Sequence, residues 1–238
     1  MSGTTFALVA VAVLAAGFVQ GATGVGFALI AAPVIGLAAP SLLPVCVLVL
    51  MLPLNVYVLW RERGALDRPG AAWITAGRFV GTFGGLWLLV VLSAWQLDVA
   101  VGAATIAAVV ATWLAPAFTP GKRAFVLSGL VTGVTETATG IGGPPLALVY
   151  QHQPVAVMRS TIAFCFLVGQ VLSLIVLLMA GRMSHAQLVG AAELLPALLA
   201  GAALSHVVHA RIEPKFLRAF VLVFALASSS VLLVRALG

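Results

Sequence analysis

Long apolar runs alternate with short polar interruptions along the chain, and most of these runs are long enough to form membrane helices. No Lys, Arg, Asp or Glu occurs between Met1 and Trp60. As a single helix this stretch is about 90 Å long, or roughly three crossings of a ~30 Å hydrocarbon layer, so it must fold back on itself. The pattern therefore predicts an integral membrane protein built from α-helices.

Charged residues, glycines and prolines divide this pattern into ten helical segments, five in each half of the chain. The first half carries segments near 5–21, 26–39, 41–60, 71–92 and 97–115. The second half carries segments near 123–138, 143–151, 158–181, 186–208 and 215–236. The pattern leaves open whether the short segments within 5–39 and 123–151 cross the membrane or form hairpins. We therefore expect about eight to ten transmembrane or half-membrane helices.

The two halves resemble each other in sequence. GFVQG at 17–21 aligns with GLVTG at 129–133 with an offset of 112, and TGVG at 23–26 aligns with TGIG at 139–142 with an offset of 116. On this alignment the second half has four extra residues, 134–137, which amount to about one helical turn. The number of crossings per half is odd whether the short segments cross or form hairpins. The sequence thus predicts an all-α polytopic membrane protein with two inverted-topology repeats, 1–118 and 119–238, that form one transport domain.

Basic residues favour one orientation, because Lys and Arg concentrate in cytoplasmic loops. With the loop after Trp60 in the cytoplasm, ten basic residues fall on or near the inner side and two outside, and both termini face outward. In this orientation we expect Arg78 to extend toward the inner face and Glu193 toward the outer face, so that they do not pair. The inner residues are Arg61, Arg63, Arg68, Arg78, Lys122, Arg123, Arg159, Arg211, Lys215 and Arg218, and the outer ones are Arg182 and Arg235.

Composition supports a membrane protein and excludes other classes. Hydrophobic residues make up 63% of the chain and charged residues 8%, against about 25% charged residues in a soluble domain. The net charge of +6 lies in short loops, where it sets orientation, so no nucleic-acid partner is expected. Cys46 and Cys165 lie in apolar segments as packing residues. The sequence contains no nucleotide-binding, metal-binding or hydrolase motif, so we expect no cofactor, no metal and no enzyme activity.

The repeated TGxG sequence predicts a break in a membrane helix in each half. Its glycines and the following prolines end one helix and start another, whose N-terminal N–H groups suit an anion. Thr23 and Thr139 can add hydroxyl donors, and we expect Gly24 and Gly140 to approach each other near the midplane. The predicted substrate-binding residues are Gln20, Thr23, Gly24, Gly26, Thr139, Gly140, Gly142 and Gly143.

Close helix packing is the alternative role for these glycines. The pairs Gly17/Gly21, Gly81/Gly85 and Gly129/Gly133 are each four residues apart, a spacing typical of glycine packing faces in membrane helices. The sequence Gly-Gly-Pro-Pro at 142–145 instead favours a break, because two prolines disrupt the helix ahead of them.

Three polar residues lie near the predicted breaks or at matching depths of the two halves. Glu136 is an acid deep in an apolar region, which is a costly position and predicts a coupling role as a proton carrier. A structural carboxyl group and a cation site are the alternatives for Glu136. Asn55 and Gln170 occupy nearly equivalent places in the two halves. They line the transport path or form a hydrogen bond between helices.

Three stretches of the chain are similar to the TauE/SafE family of membrane transporters. They read GFVQGATGVGFAL, GLVTGVTETATGIGGPPLAL and MRSTIAFCFLVGQVLSLIVLLMAGRMS. The resemblance covers essentially the whole chain and implies transport of a sulfur-containing anion, such as sulfite, sulfoacetate or another organosulfonate, across the bacterial plasma membrane. It also implies that 23–26 and 139–143 form the substrate region.

An inverted repeat with broken helices at matching positions is typical of secondary transporters. We therefore expect a secondary transporter, of the exporting kind, that is coupled to protons and located in the bacterial inner membrane. A passive anion channel is the alternative function. The expected partners are a small anion and membrane lipid, and the sequence leaves the oligomeric state open, a homodimer included.

Overall fold

A computed structural model describes residues 2–62, 64–114 and 119–208 and a few positions between 223 and 234. These residues contain helices and turns, with a single 3₁₀ turn at Pro40–Leu42. The helices are α1 (Gly3–Thr23), α2 (Phe27–Ala38), α3 (Val45–Arg61), α4 (Arg68–Val91), α5 (Ala94–Leu114), α6 (Lys122–Thr139), α7 (Gly143–Tyr150), α8 (Val155–Met179) and α9 (His185–Val208).

The helical segments expected from the sequence are confirmed up to residue 208. Four of the described helices are long and apolar enough to span a membrane, namely α1, α4, α8 and α9. The last expected segment, 215–236, lies largely outside the described residues, as do Arg63, Arg211, Lys215, Arg218 and Arg235. The expected boundary between the repeats adjoins residues 115–118, which are also outside the described part, and it stays a prediction.

Glycine faces join the two halves through two pairs of parallel helices. On α4, Gly77, Gly81 and Gly85 lie against the backbone of α6, and Gly129 of α6 lies against Ile74 in return. On the other side of the molecule Gly17 and Gly201 bring α1 and α9 together in the same way. In each pair the first helix of one half packs against the fourth helix of the other half. The packing role predicted for glycines four residues apart is confirmed.

Helices α3 and α8 are the third helices of the two halves, and they pack antiparallel to each other. Leu48 in the first part of α3 shares a core cluster with Leu177 near the end of α8. Farther along, Asn55 Nδ2 of α3 donates to Gln170 Oε1 of α8 at 3.0 Å. We call this bond the central hydrogen bond. The bond joins residues at nearly equivalent places in the third helices of the two halves.

Residues 134–137 are not an inserted turn. They lie within the continuous helix α6, and the equivalence between α1 and α6 keeps the offset of 116 along the packing face. Gly17, for example, lies against α9 as Gly133 lies against α4. The offset of 112 aligns Gly17/Gly21 with Gly129/Gly133, which have the same four-residue spacing but occupy different positions in their helices. At the corrected offset Glu136 of α6 is the counterpart of Gln20 of α1.

Aromatic and basic side chains lie at the ends of the spanning helices. Trp60, Trp73 and Trp95 are exposed, and Lys122 Nζ lies 5.4 Å from the centre of the Trp73 ring. Exposed aromatic residues at helix ends are typical of the membrane interface. The side chain of Trp113 lies outside the described part of the chain.

Candidate functional site

The first break separates α1 from α2 and is closed by its own side chains. Gly24 has φ 84°, a conformation that favours glycine, and its N–H donates to Gln20 O at 2.7 Å. Gln20 Nε2 donates to Gly24 O at 3.1 Å, and Gln20 Oε1 accepts from Phe27 N at 3.0 Å. The Thr23 hydroxyl donates to Val19 O at 2.9 Å. Gln20 therefore ties the end of α1 to the start of α2.

The second break, between α6 and α7, repeats the first at its capping glycine but not at the next glycine, because φ is 117° at Gly26 and −131° at Gly142. Gly140 has φ 82°, and its N–H donates to Glu136 O at 2.8 Å. The Thr139 hydroxyl donates to Thr135 O at 2.7 Å and accepts from Ile141 N at 3.2 Å. The Thr23 and Thr139 hydroxyls thus have partners inside their own breaks.

The two breaks do not face each other. Gly24 lies against Arg159, near the start of α8, and Gly140 lies against Val47, near the start of α3. Because α3 and α8 are antiparallel, these two starts lie on opposite sides of the central hydrogen bond. Counted along the helices, Val47 is about 12 Å and Arg159 about 16 Å from that bond. The prediction that Gly24 and Gly140 approach each other near the midplane is therefore wrong.

Four fully buried polar residues from four helices form a connected cluster around the central hydrogen bond. Gln170 Nε2 donates to Glu136 Oε1 at 2.9 Å. Glu136 Oε2 accepts a hydrogen bond from Arg78 Nη2, which makes the two residues an ion pair. We call Asn55, Arg78, Glu136 and Gln170 the central polar cluster; each has 0% exposed surface. It joins α3 and α4 of the first half to α6 and α8 of the second.

Arg78 does not reach the inner face of the membrane. It lies near the middle of the 24-residue helix α4, and its guanidinium group passes over Gly169 and lies 5.6 Å from the centre of the Phe166 ring. The expectation that Arg78 extends toward the cytoplasm is wrong. The reason is that a carboxylate lies within its reach in the core, and a paired charge is tolerated there.

The N-terminus of α7 lies beside the central polar cluster. A Cβ atom at Gly142 would lie 2.8 Å from Glu136 Cβ and 2.9 Å from Thr132 Cγ2, so this position has room only for glycine. The Thr132 hydroxyl donates to Gly142 O at 3.2 Å. Since the start of a helix carries a partial positive charge, α7 adds to the positive potential around Glu136.

Comparison with known families identifies the group to which this architecture belongs. A model of the sulfite exporter TauE/SafE family matches residues 9–232, nearly the whole chain. The chain belongs to the TauE/SafE family. No curated protein and no solved structure matches it. A TauE/SafE protein is a membrane transporter, which agrees with the helices long enough to span a bilayer.

The structure brings together some of the site residues predicted for this TauE/SafE protein and separates others. Glu136, Asn55 and Gln170 belong to one cluster, and Gly142 and Gly143 lie close to it. Of the two roles considered for Asn55 and Gln170, the hydrogen bond between helices is present. The predicted residues of the first break, Gln20, Thr23, Gly24 and Gly26, form a separate group. No observation tests substrate binding at either break, and it stays a prediction.

Sequence reasoning missed two arginines that contact the predicted residues. Arg78 pairs with Glu136. Arg159 donates from Nε to Thr23 O at 3.2 Å and from Nη2 to Ala22 O, so it caps the end of α1, where a cation is favourable. The signal for the first pair was in the sequence, because Arg78 and Glu136 are isolated opposite charges deep in two apolar helices.

Proposed function

We propose that this protein is a proton-coupled secondary transporter, of the exporting kind, for a small sulfur-containing anion across the bacterial inner membrane. Sulfite, sulfoacetate and other organosulfonates are the substrate class. The support for an anion and a proton comes from one observation, the buried pair of Arg78, near the middle of the spanning helix α4, and Glu136, in the last turn of α6. Ionisable residues at such depth are rare and belong to ion paths and proton relays in many transporters.

The family membership supports the substrate class, and the fold supports transport by alternating access. The glycine-packed pairs α1–α9 and α4–α6 are closely packed units, and the polar cluster lies where α4–α6 meets α3–α8. A relative rotation of these units exposes the cluster to one side of the membrane at a time. The residues of the second break, Thr139, Gly140, Gly142 and Gly143, are the nearer of the two predicted binding regions.

The substrate class is tested first by binding to the purified protein. A ligand that binds only the folded state raises the melting temperature. Sulfite, sulfate, sulfoacetate, taurine and simple carboxylates are compared at equal concentration. We expect sulfite or an organosulfonate to raise the melting temperature most, and a larger shift with carboxylates contradicts the proposed substrate class.

Transport is tested by the flux of a radiolabelled anion into proteoliposomes with and without an imposed pH gradient. A proton-coupled carrier accumulates the anion against its own gradient, and a protonophore abolishes that accumulation. A passive channel only equilibrates the anion. Equilibration of the anion that is the same with and without the pH gradient therefore favours the channel.

A further inference from the structure

The Arg78 guanidinium group has more hydrogen-bond donors than its described surroundings satisfy. Nη2 donates to Glu136, whereas Nε and Nη1 have no partner among the described residues, although the side chain is 1% exposed. The hydroxyl of Thr82, one turn further along α4, is also buried and has no partner in the described part of the chain. Arginine stays charged in proteins and presents its donors as a planar fork that suits oxyanions. The site thus offers unused donors for a second group of acceptor oxygens.

The Glu136 carboxylate already occupies part of this fork. It is itself an oxyanion, and its other oxygen accepts a hydrogen bond from Gln170. A sulfonate or sulfite group presents the same kind of acceptor oxygens to the same donors. The internal carboxylate and an external anion therefore compete for one cation.

The geometry points to Arg78 as the residue that binds the transported anion, with the Glu136 carboxylate as a tethered competitor that is released by protonation. This inference rests on the proposed function. A proton from the solution binds the Glu136 carboxylate, the ion pair breaks, and Arg78 pairs with the incoming anion. Each monovalent anion is thus carried together with one proton in the same direction.

Charge balance explains why proton and anion bind together. The empty site holds Arg78⁺ and Glu136⁻, and the loaded site holds Arg78⁺, neutral Glu136 and a monovalent anion, so the net charge is zero in both. A site with only the anion or only the proton carries one uncompensated charge, which is costly in a buried environment. Only the two neutral forms change conformation readily. Net flux runs outward when the anion gradient outweighs an opposing pH gradient.

Few other ionisable groups lie near enough to Glu136 to bind the proton in its place. Around Glu136, α4 contributes Arg78, α8 contributes neutral Gln170 and the thiol of Cys165, and α7 has one ionisable residue, Tyr150, at its far end. Helix α3 contributes neutral Asn55 through Gln170. Helix α5 has one ionisable residue, Asp98, whose side chain is outside the described part of the structure.

The test is the pH dependence of anion binding to the full-length protein in detergent, measured by calorimetry. The main probe is methanesulfonate, whose charge is constant between about pH 6 and pH 9. Linkage to one proton raises its Kd tenfold per pH unit wherever free Glu136 is ionised. Glu136→Gln should bind methanesulfonate with no pH dependence. The control Glu193→Gln makes the same chemical change at an exposed position of α9, and it should keep the tenfold slope.

The role of Arg78 is tested in the Glu136→Gln background, because Arg78→Gln alone leaves the Glu136 carboxylate buried without its counter-charge. The double variant Arg78→Gln/Glu136→Gln keeps the buried site neutral and should lose methanesulfonate binding by at least tenfold relative to Glu136→Gln. A folded double variant that binds as tightly as Glu136→Gln overturns the assignment of Arg78. Wild-type binding without pH dependence overturns the competition by Glu136 and leaves the ion pair a structural one.

The probe panel separates this inference from the proposed function. Sulfite, sulfoacetate, acetate and chloride are measured with methanesulfonate. Binding of acetate or chloride alone, with the tenfold slope and the requirement for Arg78, contradicts the sulfur-containing substrate but upholds the inference. Binding of a sulfonate without the tenfold pH dependence supports the sulfur-containing substrate but contradicts the inference. Absence of binding by every probe overturns both.

Discussion

The two helix breaks share a capping glycine of the same conformation but differ in the side chain four residues before it, Gln20 in one and Glu136 in the other. That difference changes what each break depends on. In both, a glycine of nearly equal φ follows a threonine whose hydroxyl bonds the carbonyl four residues back. Gln20 uses its amide N–H to reach Gly24 O and its oxygen to accept from Phe27 N. An ionised glutamate has no hydrogen to donate. Glu136 therefore accepts hydrogen bonds from Gln170 of α8 and Arg78 of α4.

The amide of Gln20 binds backbone groups of its own break. The carboxylate of Glu136 at the same position binds side chains of two other helices. In the first break Gln20 finds both of its partners in the break itself, at Gly24 O and Phe27 N, while Arg159 of α8 caps the end of α1. The second break leaves its acid to be satisfied by α4 and α8, so its stability depends on how the two halves pack. Of the two breaks, the second thus holds a buried carboxylate, whereas the charge at the first is the Arg159 guanidinium group, which binds backbone carbonyls.

The largest expected effect comes from removing the partner of the second break. Arg78→Leu leaves Glu136 buried without a counter-charge and should lower the free energy of unfolding by about 3–5 kcal/mol. Adding Glu136→Leu should recover most of the loss, because the unpaired charge is then gone. Denaturant unfolding in mild detergent gives the double-mutant cycle. An Arg78→Leu protein as stable as the wild type indicates that the pair contributes nothing to folding.

The next largest effect is expected in the first break. Gln20→Leu leaves Phe27 N–H and Gly24 C=O without partners, and each lost partner costs about 1–3 kcal/mol when its group stays buried. We expect lower stability and faster hydrogen exchange at the Phe27 amide, measured by mass spectrometry. Exchange in the second break should not change, and unaltered exchange at Phe27 contradicts the role assigned to Gln20.

A smaller effect is expected at the two capping glycines. Gly24→Ala and Gly140→Ala each force a side chain into a left-handed conformation, which costs about 1–2 kcal/mol. The loss should be larger at Gly24, where a Cβ atom would lie 2.5 Å from Arg159 Cγ, than at Gly140, where it would lie 3.2 Å from Val47 Cβ. Gly3→Ala is the control, since nothing lies within 4 Å of a Cβ atom there. Equal losses in thermal unfolding contradict the larger clash expected at Gly24.

The smallest effect is expected for the hydroxyl of Thr132. It donates to Gly142 O in the second break, whereas its counterpart in α1 is Ala16, which has no side-chain donor. Thr132→Val keeps the shape and removes this bond, and it should lower stability by about 0.5–1.5 kcal/mol. Unfolding in detergent measures the change. A loss near that of Arg78→Leu means that Thr132 supports the ion pair itself.

The helices could be predicted from the sequence because local signals determine them. Apolar runs give the spanning lengths, and Asp67, Gly24, Gly140 and Pro144 mark helix ends by capping or by breaking the backbone. Glycines four residues apart predicted the packing faces but not which helices meet. That choice depends on the shapes of two surfaces far apart in the chain.

The site was predicted only in part because its main contact depends on packing. The sequence spacing of Arg78 and Glu136 does not predict their contact, because the parallel register of α4 and α6 sets the distance between them. The expectation that Arg78 extends to the inner face also assumed that the fourth helix begins near residue 71. With α4 beginning at Arg68, Arg78 is about 15 Å along it, beyond the reach of its side chain to the surface.

The pairing of α1 with α9 constrains the order of synthesis and assembly. Helix α1 is made first, yet its glycine face receives Leu198, which is translated about 180 residues later. At roughly 5–20 residues per second, α1 waits on the order of 10 s or more for its partner. Helices α4 and α6 are only about 50 residues apart and meet much earlier. In the bilayer the α4–α6 pair therefore forms before the α1–α9 pair, and α1 stays without its α9 neighbour until α9 has been translated.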